Sequence, residues 1–126
     1  MRKSLYKYMC SFSMLTLVTL FVQDLSAKDV VITDFGAVAD STTLNTTAIQ
    51  KAIDTCAETG GGRVTIPSGI FLTGTINLRS HVEIYLNRGA VIRGSLRIPE
   101  DYPQRALIYA ENIEDAGISG DGIIDG

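Results

Sequence analysis

The groups in this sequence best suited to acid–base chemistry are its carboxylates, and Asp121 and Asp125 are the pair whose spacing invites the question. Two carboxyl groups can cleave a glycosidic bond when one donates a proton and the other activates water or attacks directly. Such pairs stand ~6.5–9.5 Å apart when water intervenes and ~5–5.5 Å apart when it does not. Four residues along a straight strand span ~13 Å. Each aspartate also precedes a glycine (Asp121-Gly122, Asp125-Gly126), as in tight turns. The spacing therefore predicts turn and capping roles for both. Glu111, Glu114 and Asp115 crowd one short polar segment and are expected to form a solvated corner.

Other chemical motifs fail on simple grounds. His81 is the only histidine, and Cys56 is the only cysteine outside the apolar N-terminal run, too few ligands for zinc. Cys56 is expected to be a small buried hydrophobe. Gly120-x-Gly122 lacks the third glycine of a dinucleotide loop, because Asp125 occupies that place. Arg79, Arg88 and Arg93 form a series able to contact an acidic polysaccharide, although scattered surface arginines explain it more simply. Asn45-Thr46-Thr47 matches a glycosylation sequon, while Asn45 is better used as a helix N-cap. The sequence thus assigns no catalytic, cofactor-binding or metal-binding residue.

The elements that would carry these groups are mostly strands. From Arg63 to Gly94, runs of β-branched and apolar residues are cut every few positions by Gly, Pro, Asn or Ser, with no helix between them. No Asn-Gly or Asp-Gly pair marks a two-residue hairpin within this stretch. Short strands joined by single turns can instead wind onward, each stacking in parallel on the last. The expected architecture is mainly β, a right-handed, single-stranded parallel β-helix. Val30–Phe35 reads as an opening strand. Leu44, Ala48, Ile49, Ala52, Ile53, Cys56 and Ala57 then share one side of a helix, with Asn45 at its start and Gly60 at its end. A stack of strands has an open end that would recruit other chains, and this amphipathic helix is expected to cap it. Ser95–Leu107 holds Pro99 and Pro103 and marks an excursion, after which strands resume at Leu107–Tyr109. Leu86–Gly94 is echoed by Ile118–Gly126, a shift of 32 residues.

Size and charge narrow the classes. The chain has 126 residues and a formal charge of −3, with no basic stripe, which disfavours nucleic acid and anionic membranes as partners. Residues 1–27 read as a secretory signal: Arg2, Lys3 and Lys7 precede the apolar run Met9–Val22, which falls short of the ~20 residues a membrane span needs. Cleavage is expected after Ala27. That cut removes three cations and Asp24 and takes the formal charge from −3 to −5. The remaining 28–126 is expected to hold the cap and the first two or three rungs of a longer domain, since repeat arrays need several units and a closed far end.

Asp34-Phe35-Gly36-Ala37, Asn45–Asp54, Gly60–Gly69, Phe71–Gly74, Leu78–Val82 and Ile118–Gly126 resemble the start of pectin-degrading parallel β-helix proteins, above all polygalacturonases of glycoside hydrolase family 28. The resemblance covers nearly all of residues 28–126. It implies inverting hydrolysis of α-galacturonosidic bonds in a pectic polysaccharide, by an enzyme that is secreted or periplasmic, monomeric when complete, and free of cofactor and membrane anchor. The family's Asn-Thr-Asp, Asp-Asp, Gly-His-Gly and Arg-x-Lys strings do not occur here, so no catalytic residue carries over and the stretch alone is expected to be inactive. Two rivals keep the scaffold: a pectate lyase or epimerase, and a non-catalytic glycan-binding module. The leader yields a direct prediction. Terminal sequencing of the exported protein should begin at Lys28, and an exported product still carrying Met9–Val22 would overturn it.

Overall fold

A computed structural model describes residues 28–126, and the expected leader, 1–27, lies outside the described residues. Strand β1 spans Lys28–Val31 and ends short of the expected Phe35. Ile32–Phe35 is instead a 3₁₀ turn. It drops the fully buried Ile32 into the core while Thr33 and Asp34 stay exposed. Gly36, at φ 95°, closes the turn by donating its N–H to the Thr33 carbonyl at 3.2 Å.

Helix α1 spans Thr46–Glu58 and buries Ile49, Ala52, Ile53 and Cys56 on one face, as the 3.6-residue period requires. Leu44 leaves the expected stripe. It precedes the helix, bridges in parallel to Leu72 and is 43% exposed. The helix stops in a Schellman motif, with Gly61 N–H bonded to the Cys56 carbonyl at 2.9 Å and Gly60 N–H to Ala57 at 3.3 Å. Asn45 holds the N-cap position, but its side chain makes no cap bond. Its amide serves the preceding loop instead, accepting from Val38 N–H at 2.8 Å and donating to the Val38 and Thr43 carbonyls at 3.0 Å each. A 2% exposed amide with those bonds is closed to a glycan in the folded chain.

The remaining elements are strands β2 (Gly62–Ile66), β3 (Gly69–Thr73), β4 (Ile76–Asn77), β5 (Val82–Leu86), β6 (Ala90–Gly94), β7 (Ile108–Tyr109), β8 (Gly117–Gly120) and β9 (Ile123–Asp125). They form three sheets, ordered β1-β2-β5-β8, β3-β6-β9 and β4-β7, and every pairing is parallel. The chain visits the sheets in rotation. Register stacks like side chains in columns: Val64, Ile84 and Ile118; Phe71, Ile92 and Ile124; Ile76 and Ile108. The 32-residue echo holds only in the second sheet, where Val91 pairs with Ile123 and Ile92 with Ile124. In the first sheet Leu86 lies beside Gly120, not Ile118. The corner after β5 is longer than the corner after β8, and the difference shifts the register.

Ser95–Leu107 leaves the coil as expected and is tied back at its start, middle and end. Ser95 N–H bonds the Thr73 carbonyl at 2.9 Å, Thr75 N–H bonds Asp101 at 3.0 Å, and Ile76 N–H bonds Leu107 at 2.8 Å.

The N-terminal sides of β2, β3 and β4 are also paired. β1 pairs with β2 and is itself the edge strand of the first sheet. Ser41 and Asn45 donate backbone N–H groups to the Ile70 and Leu72 carbonyls of the second, at 3.2 and 2.8 Å. On the third sheet the side chain of Gln50, from α1, accepts from Asn77 N–H at 2.8 Å and donates to the Asn77 carbonyl at 3.0 Å. One side-chain amide thus takes the place of a strand. Gln50→Leu, of similar size, should lower stability by about 1–3 kcal/mol by leaving both Asn77 groups unpaired. Urea unfolding midpoints test this, and an unchanged midpoint would show that the amide contributes nothing.

Candidate functional site

Side chains that point outward from the coil carry nearly all the ionisable groups, because alternate strand positions face the core. On the first sheet Arg63, Glu83, Tyr85 and Ser119 make one polar face. The Arg63 guanidinium lies 4.5 Å from the Tyr85 ring centroid and 3.5 Å from the Glu83 carboxylate. Ser119 donates its hydroxyl to Glu83 from the neighbouring strand. That bond, aided by the Arg63 charge, holds the Glu83 carboxyl below its ordinary range. The arrangement ties turn to turn.

Asp121 and Asp125 do not form a pair. Asp121 sits in the corner between β8 and β9 and Asp125 is the last residue of β9, so the straight-strand distance does not apply. Asp121 donates its backbone N–H to the Leu86 carbonyl at 2.9 Å, while the Asp125 carboxylate meets Arg93 Nε at 3.3 Å.

Glu111, Glu114 and Asp115 are exposed, as a solvated corner should be. Glu111 accepts the Tyr109 hydroxyl at 2.8 Å, and this bond followed by its charge pushes the phenol upward. The sequence did not disclose that Glu114 and Asp115 flank His81, at 3.9 Å from Nε2 and 3.4 Å from Nδ1. Only strand register brings them together.

The arginine series disperses. Arg79 pairs with Asp54 of α1 at 3.1 Å, Arg88 is exposed on the corner between β5 and β6, and Arg93 faces elsewhere. Arg93 lies instead on a cleft of about 1150 Å³ between the outer face of the second sheet and the excursion. Leu72 shares its wall, and Arg97 and Arg105 enter from the excursion. The sequence reading passed over Arg97 and Arg105; the two prolines marking a protruding loop were the only signal available.

The excursion has its own frame. The Tyr102 hydroxyl donates to the Ser95 carbonyl at 2.6 Å, and burial, then the Asp101 charge, raises its pKa. Gly94 makes room for that hydroxyl, since a Cβ there would stand 2.7 Å from it. Across the cleft, Ser41 and Thr42 form a rim held by Asp40, which accepts the Thr43 hydroxyl and the Thr43 and Thr42 N–H groups, the latter two at 2.7 and 3.0 Å. Asp125 is the one carboxylate lining the cleft among the described residues, and Arg93 occupies it. Nor does any group of three His, Cys, Asp or Glu among the described residues suit a metal. The cleft gathers three arginines. It holds no acid–base pair.

Residues 30–108 match the family model described as rhamnogalacturonase A/epimerase, pectate lyase-like. An exo-poly-alpha-D-galacturonosidase of Dickeya chrysanthemi is 46% identical over 83 residues, 66% of this chain and 13% of that protein. A probable polygalacturonase of Vitis vinifera is 35% identical over 114 residues, 74% of this chain and 23% of that one. Among solved structures, the hyperthermoactive exopolygalacturonase of Thermotoga maritima superposes with a TM-score of 0.74 at 31% identity, over 80% of this chain and 25% of that one. The family 28 exopolygalacturonase of Yersinia enterocolitica gives 0.71 at 36%, over 80% and 21%. The chain therefore spans a quarter or less of each of these proteins.

The rim generates a pH prediction. Hydrogen bonds, first from the Thr43 hydroxyl, bring the Asp40 carboxyl from 3.8 down to about 2. A depressed carboxyl stabilises the fold above its unfolded pKa, and that contribution is lost as pH falls from about 3.8 through about 2. Carbon-13 NMR titration should place Asp40 near the lower value, and Thr43→Val should return it toward the ordinary range. An unshifted Asp40 in the parent protein would refute the account.

Proposed function

This chain belongs to the pectate lyase-like family of rhamnogalacturonase A and epimerases, on its polygalacturonase-like, glycoside hydrolase family 28 side, and from that membership we propose that it forms the start of an exported enzyme that hydrolyses galacturonan. The observation that carries the reading is the 46% identity with the Dickeya galacturonosidase. In this reading the coil is right-handed, α1 is its cap, and residues 28–126 supply its first two to three rungs. Residues 1–27 direct export, and the enzyme works as a monomer without cofactor.

Inverting hydrolysis fits a substrate whose glycosidic oxygen must be protonated on one face while a carboxylate-activated water attacks from the other. The cleft's single carboxylate is neutralised by Arg93, so the reading places both catalytic carboxyl groups outside residues 28–126. The described part contributes the scaffold and a wall for the substrate.

Polygalacturonate digestion followed by proton NMR tests the proposal. The full-length protein should release reducing ends that appear first as the inverted, β anomer. Residues 28–126 alone should release none. Unsaturated, ultraviolet-absorbing products would replace hydrolysis by the lyase reading, and retention of the α anomer would exclude inversion.

A further inference from the structure

We propose that the cleft beneath the Ser95–Leu107 excursion is a binding subsite for an unesterified uronate, with Arg97 and Arg105 as the groups that receive its carboxylate. The proposal rests on the galacturonan reading for the identity of the sugar, and on the cleft itself for the charge selection. The chain as a whole is acidic, at −3, yet Arg93, Arg97 and Arg105 converge on one cleft lined by one carboxylate. Arg93 spends its charge on Asp125 at 3.3 Å. Arg97 and Arg105 have no carboxylate within ion-pair distance among the described residues. Two guanidinium groups are thus left for a ligand.

Their setting is built. Arg105 takes φ 56°, a conformation rare for a side-chain-bearing residue, and its N–H is fixed to the Tyr102 carbonyl at 2.9 Å. The Arg97 carbonyl accepts Asp101 N–H at 3.1 Å, and the Tyr102 hydroxyl closes the loop onto Ser95. Leu96 and Ile98, the sequence neighbours of Arg97, line the same cleft and are 95% and 73% exposed, an apolar surface for the C–H face of a sugar ring. The volume of about 1150 Å³ exceeds the ~300–1,000 Å³ of ordinary small-molecule pockets and leaves room for more than one sugar unit. A guanidinium fork matches a carboxylate with two parallel hydrogen bonds, whereas a methyl ester offers neither the charge nor the second acceptor of equal strength. Free uronate is therefore preferred to its ester.

Calorimetric titration of the full-length protein with a short oligogalacturonate, and with its methyl ester, tests the assignment. The acid should bind more tightly than the ester, and its affinity should fall as salt rises. Arg97→Gln with Arg105→Gln should weaken binding of the acid about tenfold and erase the preference over the ester, while Arg97→Lys with Arg105→Lys should restore part of it. Arg88→Gln, on a corner outside the cleft, should change nothing, and its unfolding midpoint with that of the double variant serves as the check on folding. Equal affinity of the parent and the double Gln variant would overturn the subsite, as would equal binding of acid and ester by the parent. Loss of binding in a protein that never releases reducing ends would instead uphold the subsite and defeat the hydrolase reading.

Discussion

A stack of parallel strands has one obligation that shapes everything else here: each sheet ends in a row of backbone N–H and C=O groups that must be paired. Among the described residues the N-terminal sides of β2, β3 and β4 are paired in three ways, with β1 left as the edge strand of the first sheet. β1 supplies a true strand to the first sheet, the Ser41–Asn45 segment supplies an irregular one to the second, and Gln50 supplies a side-chain amide to the third. The third device is the most economical because its edge is the shortest. β2 and β3 span five residues each, and β4 only two, so one amide with a donor and an acceptor is enough for the last. Helix α1 can then spend its apolar face on the core. Ile49, Ala52, Ile53 and Cys56 bury against residues of the first turns while Gln50 works beside them.

Parallel stacking also dictates where glycine must stand. Gly61 and Gly120 both take positive φ, and a Cβ on either would press on backbone, 2.4 Å from the His81 carbonyl oxygen and 2.1 Å from that of Leu86. Both occur where the chain passes close over a neighbouring turn. Cavities and clashes at such points cannot be relieved by a rotamer change, since the opposing atom is main chain. The spacing of the coil is thus held by contacts that have no side-chain remedy.

These facts explain what could be read in advance. The strand punctuation, the helix stripe and the glycine stop at Gly60 are local, governed by periodicity and by φ, so they were legible. Ile32–Phe35 was not, because β-branched alternation fits a strand as well as a turn that buries one isoleucine. Leu44 was misassigned, and Asn45, though it stands at the N-cap, uses its side chain elsewhere, for a related reason: the helix pattern continues past its true start, and nothing local reveals that Leu72 or Val38 will compete for them. The 32-residue echo gave the correct period in one sheet and failed in the other, since corner lengths enter the register and apolar strings do not encode them. The site was least legible of all. The spacing of Arg79, Arg88 and Arg93 says nothing of which wall each will occupy, and His81 gained its carboxylate neighbours from a segment more than thirty residues away.

The division between ladder and loop also accounts for where function can be placed. Ser95–Leu107 is anchored by three bonds, from Ser95 to Thr73, Asp101 to Thr75 and Leu107 to Ile76, and the residues between these anchors are free of ladder pairing. Lengthening such a loop costs only ~0.6 kcal/mol per doubling, far less than a misplaced side chain within a stacked column. Charged and exposed apolar residues, which a column would reject, are tolerated there, and Arg97, Arg105, Leu96 and Ile98 all sit on it. Arg93 is the exception that joins the two regimes. It belongs to a strand, in register with Leu72 and Asp125, and it therefore fixes the floor of the cleft relative to the coil while the excursion supplies the wall. A rigid floor with an adaptable wall lets one scaffold change what it binds without changing how it folds.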